Sequence, residues 1–222
     1  MASVEQFANQ APGQPHVRGF LHRPDGDPTA GLVLTHGAGS NCGAPLLVAV
    51  AESFAAAGIA VLRCDLPFRQ ARPHGPPFGN GANDRAGLRR GVDVLREIFP
   101  VRMFLGGHSY GGRQGSMLAA EDPALVNGLL LLSYPLHPPE KPEQLRTAHF
   151  PKLQTPALFV SGCRDPFGSL DEMQAARCLI PAPTELLAIE GAGHDLGRRG
   201  YDELARRVLD AFVRFVKSHE TE

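Results

Sequence analysis

Ser109, Asp165 and His194 are the three residue types that together perform acyl transfer, and they occur in that order along the chain. Ser109 sits in Gly107-His108-Ser109-Tyr110-Gly111, a Gly-x-Ser-x-Gly turn between an apolar run (residues 101–105) and a helix-forming segment (residues 113–120). Such a strand-to-helix turn holds the serine in a strained backbone conformation with its hydroxyl presented at the top of a sheet. Side chains two positions before and after it would collide, hence glycine at Gly107 and Gly111. With 25 Gly in 222 residues, a chance match to this pattern is expected roughly 0.1 times.

A serine hydroxyl is a weak nucleophile, so an imidazole must take its proton as it attacks a carbonyl. A carboxylate then fixes the imidazole tautomer and stabilises the imidazolium that forms. The oxyanion needs two donors. One is the backbone N–H of Tyr110, directly after the nucleophile. The other is expected from His36-Gly37-Ala38-Gly39, with Ala38 the choice and Gly39 the alternative.

The elements that must position these groups read as an alternation of strands and helices. Apolar runs at residues 31–35, 59–63, 101–105, 128–133, 157–160 and 185–189 have the character of strands buried in a parallel sheet. Helices are expected between them. Residues 45–57 carry Leu46, Val50 and Phe54 on one face. Residues from Asn83 or Asp84, as cap, to Phe99 carry Leu88, Val92, Leu95 and Phe99. A helix starts at Ser169 or Asp171, and residues 201–217 close the chain with Leu204, Val208, Phe212 and Val216 in register. This predicts a mostly parallel sheet flanked by helices on both faces. Ligand sites of such sheets lie at the carboxyl ends of the strands. Ser109, Asp165 (in Cys163-Arg164-Asp165-Pro166) and His194 (in Gly191-Ala192-Gly193-His194) each follow a strand.

Residues 1–16, polar and punctuated by Pro and Gly, are expected to form a flexible arm, and residues 17–222 a single domain. Within that domain residues 17–21 are expected to be an antiparallel edge strand. The connection from Pro135 to Thr155 is too short for a lid domain. Phe68 and Phe78, in the Pro/Gly-rich stretch 66–81, are candidate pocket walls. A net charge of −1 and a pI near 6.8 give no electrostatic case for nucleic acid or an anionic membrane. No apolar stretch reaches membrane-spanning length. Met1 to Pro15 lacks the charged start and apolar run of a signal peptide. Cys42, Cys64, Cys163 and Cys178 form no C-x-x-C pair and no zinc-ligand spacing, so a reduced, cytoplasmic setting without metal is expected.

Rival groups are weaker. His36 and His108 lie beside the site in loop-supporting positions, and His137 and His149 flank the connection after residue 133. Asp65 ends a strand. Asp195 is tied to His194 by one peptide bond, which turns its side chain away.

The chain resembles the α/β-hydrolase superfamily from His36-Gly37 to His194. More narrowly, it is similar to the dienelactone-hydrolase-like branch that includes the testis-expressed protein 30 type. The motifs carrying this are Gly107-His108-Ser109-Tyr110-Gly111-Gly112-Arg113, Leu132-Ser133-Tyr134-Pro135-Leu136-His137-Pro138-Pro139 and Gly162-Cys163-Arg164-Asp165-Pro166-Phe167-Gly168. The resemblance implies Ser109, Asp165 and His194 as triad; the acyl-transfer chemistry of these residues needs no cofactor or metal and is expected to act on a small ester or thioester. An acyltransferase, a peptidase or a catalytically silent interaction module on the same fold are the alternatives.

Overall fold

A computed structural model of the chain describes residues 2–197 and 200–219. Eight strands form one sheet in the order β1-β2-β4-β3-β5-β6-β7-β8. They are β1 (Ser3–Asn9), β2 (Val17–Arg23), β3 (Ala30–Thr35), β4 (Ile59–Cys64), β5 (Arg102–His108), β6 (Gly128–Leu132), β7 (Ala157–Gly162) and β8 (Thr184–Ile189). β1 and β2 are antiparallel to their neighbours, and the six strands from β3 to β8 are mutually parallel. The helices are α1 (Pro45–Ala56), α2 (Pro67–Ala71), α3 (Ala82–Ile98), α4 (Tyr110–Glu121), α5 (Leu170–Arg177) and α6 (Tyr201–Ser218). This is an α/β-hydrolase fold, and no lid-like extra domain stands among the described residues.

The winding of the sheet decides where a site can form. From β3 the chain steps to β4 on one side, then crosses back to place β5 on the other side of β3. The connections after β3 and β5 therefore diverge to opposite faces and leave a crevice at the strand ends. Thr35 pairs with Gly107 across β3 and β5. The 36–39 loop and Ser109 are thus neighbours by register, though about seventy positions apart in the sequence.

Alternation along the central strands feeds two cores. Leu32, Leu34, Phe104, Leu130, Leu132 and Val160 pack on one face beneath α1 and α6. Val33, Met103, Leu105, Leu129, Leu131 and Phe159 pack on the other beneath α3, α4 and α5. The expected stripe of α1 is buried, as are Leu88, Val92 and Leu95 of α3, whereas Phe99 lies just past the end of α3 and is half-buried; in α6 Phe215 joins Leu204, Val208 and Phe212 in the buried set, and Val216 is half-buried. Phe212 lies against Phe54 at 5.4 Å and edge-on to Phe104 at 5.1 Å, locking α6 to α1 and the sheet.

The structure corrects the expectation of a flexible arm. Residues 3–9 form β1, which pairs with β2 from Ser3↔Arg23 to Asn9↔Val17. Arg23 Nε donates to Glu5 at 2.8 Å across that ladder. β2 is consequently an inner strand rather than an edge. An edge strand has one hydrogen-bonded neighbour, so its outer positions tolerate polar residues and the hydrophobic alternation fades. Two local corrections follow. Gly81, not Asn83 or Asp84, caps α3, because Asp84 is turned inward. Residues 67–71, within the stretch expected to be loop, form α2, with Pro67 preset for a first helical turn.

Two histidines held in neutral form, His22 buried and His149 half-buried, make stability depend on pH. His22 in β2 accepts from Arg63 Nε at 2.8 Å, and burial, then Arg63, lower it to about 4. Burial, then Arg113 and Arg85, lower His149 to about 4 as well. Both folded values lie below the ordinary 6.5, so the stabilisation is complete above about pH 6.5 and is lost as pH falls toward 4. Each contributes a slope approaching about 1.4 kcal/mol per pH unit inside that window. Urea unfolding between pH 7 and 5 should show falling stability, before most carboxylates titrate. A flat profile over that range would contradict the neutral assignment.

Candidate active site

Ser109 caps α4 with φ 51° and ψ −117°, a region that side-chain-bearing residues rarely adopt. Close backbone approach forces the turn. A Cβ at Gly107 would lie 2.5 Å from the Gly112 nitrogen, and one at Gly111 would lie 2.6 Å from the His36 carbonyl oxygen. The Ser109 N–H donates to the Leu132 carbonyl at 2.8 Å, tying the turn to β6. Tyr110 is the first residue of α4, so its N–H has no intrahelical acceptor.

His194, on the loop after β8, has Nε2 2.8 Å from Ser109 Oγ. Its Nδ1 lies 2.8 Å and 3.0 Å from the two carboxylate oxygens of Asp165. An ionised carboxylate only accepts, so Nδ1 carries the proton and Nε2 presents its lone pair to the serine hydroxyl. Asp165 is buried, and its Oδ1 also accepts the Phe167 N–H at 2.9 Å. The His194 ring lies between Phe167, at 4.1 Å between centroids, and His108, at 5.3 Å. His108 Nε2 donates to the His194 carbonyl at 2.9 Å. The imidazole is therefore fixed in tautomer, tilt and position.

The loop after β3 is held by side chains gripping its carbonyls. His36 is fully buried; its Nδ1–H donates to the Gly37 carbonyl at 2.8 Å, and Nε2 accepts the Leu66 N–H at 3.1 Å. Burial lowers its pKa, in keeping with a neutral ring. In a trans peptide the carbonyl and the following N–H point opposite ways. Holding the Gly37 carbonyl thus fixes the Ala38 N–H, the expected second donor. The Ala38 carbonyl is in turn taken by Arg69 at 2.7 Å. Arg69 is buried and also donates to the carbonyls of Ser40 (2.8 Å), Pro73 (2.9 Å) and Gly75 (3.1 Å). It staples this loop to the stretch after α2. Nothing in its local sequence marks it, because every partner but its own loop lies about thirty residues away.

These groups line a cavity of about 950 Å³ that includes Ala38, Ser109, Tyr110, Arg113, Arg146 and His194. The two expected aromatic walls are elsewhere. Phe68 is buried beneath the site against His36 and edge-on to Tyr110. Phe78 is half exposed, under the Arg72 guanidinium at 4.5 Å. Its neighbours Pro77, Gly79, Asn80 and Gly81 form that wall instead. Aromatic type was a poor guide here because the backbone of a Pro/Gly-rich loop can itself approach a ligand.

The other titratable groups have separate employment. The Asp84 carboxylate accepts the Tyr110 hydroxyl at 2.7 Å and the Phe68 N–H at 3.0 Å. Burial, then Asp84, push the Tyr110 hydroxyl pKa up, so it remains a donor. Asp65 accepts the Cys42 N–H at 2.8 Å. His137 and His149 are anchored to the Pro138 carbonyl and to Ser116 Oγ, each at 2.8 Å. Asp195 is exposed at the pocket edge, while both ring nitrogens of His194 are engaged by Asp165 and Ser109.

Residues 28–218 match the family described as alpha/beta hydrolase domain. The chain belongs to this family. Among solved structures it is similar to a dienelactone hydrolase from Anabaena variabilis, with 22% identity over 96% of this chain and 98% of that one, and a TM-score of 0.77. Est1E from Butyrivibrio proteoclasticus matches with 17% identity, 96% and 99% coverage and a TM-score of 0.75. A lidless serine hydrolase from Xanthomonas campestris, XC6422, matches at 15% identity, covering 96% of this chain and 94% of its own, with a TM-score of 0.73. At these identities the likeness speaks for the alpha/beta hydrolase fold, with dienelactone-hydrolase and esterase structures among the neighbours.

Proposed function

We propose that this alpha/beta hydrolase cleaves a small carboxylic ester or thioester through an acyl-enzyme on Ser109. The observation that carries this reading is the continuous relay Asp165–His194–Ser109, with 2.8 Å at each step, opening into a cavity. His194 takes the serine proton as Oγ attacks the acyl carbon. The oxyanion meets the N–H groups of Tyr110 and Ala38, donors that need no reorganisation as charge develops. His194, now imidazolium and steadied by Asp165, returns the proton to the departing alkoxide or thiolate. Water then enters by the same path reversed, and the acid leaves with free Ser109. This cycle uses only the chain's own groups.

The membership of the dienelactone-hydrolase-like branch and the testis-expressed protein 30 type is proposed on the three motifs quoted above. A reduced, cytoplasmic setting is supported by four free cysteines. No described helix is long and apolar enough to cross a membrane. One domain from residue 17 onward, extended by β1, is the organisation we favour.

The test is hydrolysis of p-nitrophenyl esters from acetate to decanoate. The connection between β6 and β7 is pinned by buried Leu136, Phe150 and Leu153, and by the Tyr134 hydroxyl on the Arg146 carbonyl at 2.6 Å. It walls one side of the cavity without roofing it. Acetate and butyrate should therefore give the highest kcat/KM. A preference for decanoate, or activation at a lipid surface, would contradict this pocket.

A further inference from the structure

Most arginines of this chain are matched to acceptors. On α3, Arg85, Arg89, Arg90 and Arg96 each reach a carboxylate between 2.6 and 3.4 Å. Arg69, buried without a carboxylate, is satisfied by backbone carbonyls. Arg113 and Arg146 have no carboxylate partner among the described residues, and both line the cavity that holds Ser109.

Arg113 lies one helical turn after the nucleophile, its N–H donating to the Ser109 carbonyl at 3.0 Å. Both residues line the same cavity. The Arg113 Nε is buried with no hydrogen-bond partner. Among the described residues no carboxylate lies within 4.0 Å of it. Arg146 arrives from the β6–β7 connection, and among the described residues its guanidinium reaches only the Pro135 carbonyl, at 3.3 Å. Burial, then the Arg113 charge, hold Arg146 below the usual arginine range. Of the surrounding acids, Asp84 is committed to Tyr110 and Phe68 and Glu121 to Arg85, while Asp195 lines the same cavity at its exposed rim and pairs with neither guanidinium. Two half-buried cations facing one cavity, neither of them ion-paired among the described residues, repel each other, an arrangement an anion would relieve.

We infer that Arg113 and Arg146 form an anion subsite, and that the ester cleaved at Ser109 carries a carboxylate or phosphate on the part lying along α4. This deepens the hydrolase reading and rests on it. The guanidinium fork matches both oxyanions in a bidentate manner, which a lysine ammonium would not.

The experiment compares acetate esters of 4-hydroxybenzoate, of 4-hydroxyphenyl phosphate and of neutral methyl 4-hydroxybenzoate. For an anion on the acyl side, mono-p-nitrophenyl adipate is set against its methyl ester. The readout is the ratio of kcat/KM for the charged over the neutral member, in wild type, Arg113→Met and Arg146→Met, with folding checked by circular dichroism. Wild type should favour one charged member on the order of tenfold to a hundredfold, mainly through KM, and either substitution should bring that ratio toward one. The member preferred identifies carboxylate or phosphate, and the side it sits on. No charged preference, or one that survives both substitutions, overturns the inference while leaving the hydrolase intact. If no ester is turned over, the hydrolase reading falls. The subsite is then judged by titrating Ser109→Ala protein with 4-hydroxybenzoate and 4-hydroxyphenyl phosphate against methyl 4-hydroxybenzoate. Equal affinities would overturn it; tighter binding of an anion that is lost in Arg113→Met would support it.

Discussion

Ser109→Ala should lower turnover of p-nitrophenyl acetate by about 10⁵- to 10⁶-fold, leaving only what oxyanion donors and binding supply without a nucleophile. Such a loss corresponds to roughly 7–8 kcal/mol of transition-state stabilisation. The fold should be unaffected, since among the described residues the hydroxyl bonds only to His194, and the backbone tie runs from the Ser109 N–H to Leu132. Substrate KM should change little, because the step removed is attack and not binding. The measurement is steady-state kinetics on freshly purified protein, with circular dichroism as control. A variant retaining more than a few per cent of activity would place the nucleophile elsewhere.

The second large effect separates two acids that sit thirty residues apart in sequence and both near His194. Asp165→Asn should reduce turnover by about 10⁴-fold. The amide can donate to Nδ1, which moves the ring proton to Nε2 and leaves no lone pair for the Ser109 hydroxyl. Asp195→Asn should cost tenfold or less, through small shifts of the loop that carries the imidazole. The geometry already separates them, with Nδ1 bound by Asp165 and Asp195 at the exposed rim. If the Asp195 variant is inactive and the Asp165 variant nearly normal, the orienting acid has been misassigned.

What could be read from the sequence divides along a physical line. The parallel strands were legible because burial on both faces makes them short continuous apolar runs, and the glycines around Ser109 because backbone crowding excludes any side chain. The order Ser109, Asp165, His194 was legible because a parallel sheet gathers its strand ends on one edge. The crossing of the chain between β4 and β5 was not, since strand order leaves no local trace. β1 was hidden by its exposure. Asp84 read as a helix cap, yet it is a buried partner of Tyr110, twenty-six positions away. Arg69 and Arg146 had no signature, and Arg113 stood in the Gly107–Arg113 motif with no role attached to it; their meaning lies in which acceptors reach them and which do not. Phe68 and Phe78 show the reverse error, an apolar type taken for a wall when packing placed one below the cavity and one outside it.

The most direct test of the account is reaction with a fluorophosphonate probe, followed by peptide mass spectrometry. Such a probe modifies a serine only when a neighbouring base activates it and donors hold the phosphoryl oxygen. The account predicts one equivalent incorporated, on the peptide containing Ser109, with none in Ser109→Ala and strongly slowed labelling in Asp165→Asn. Folded wild-type protein that remains unlabelled, or is labelled at another serine, would contradict it.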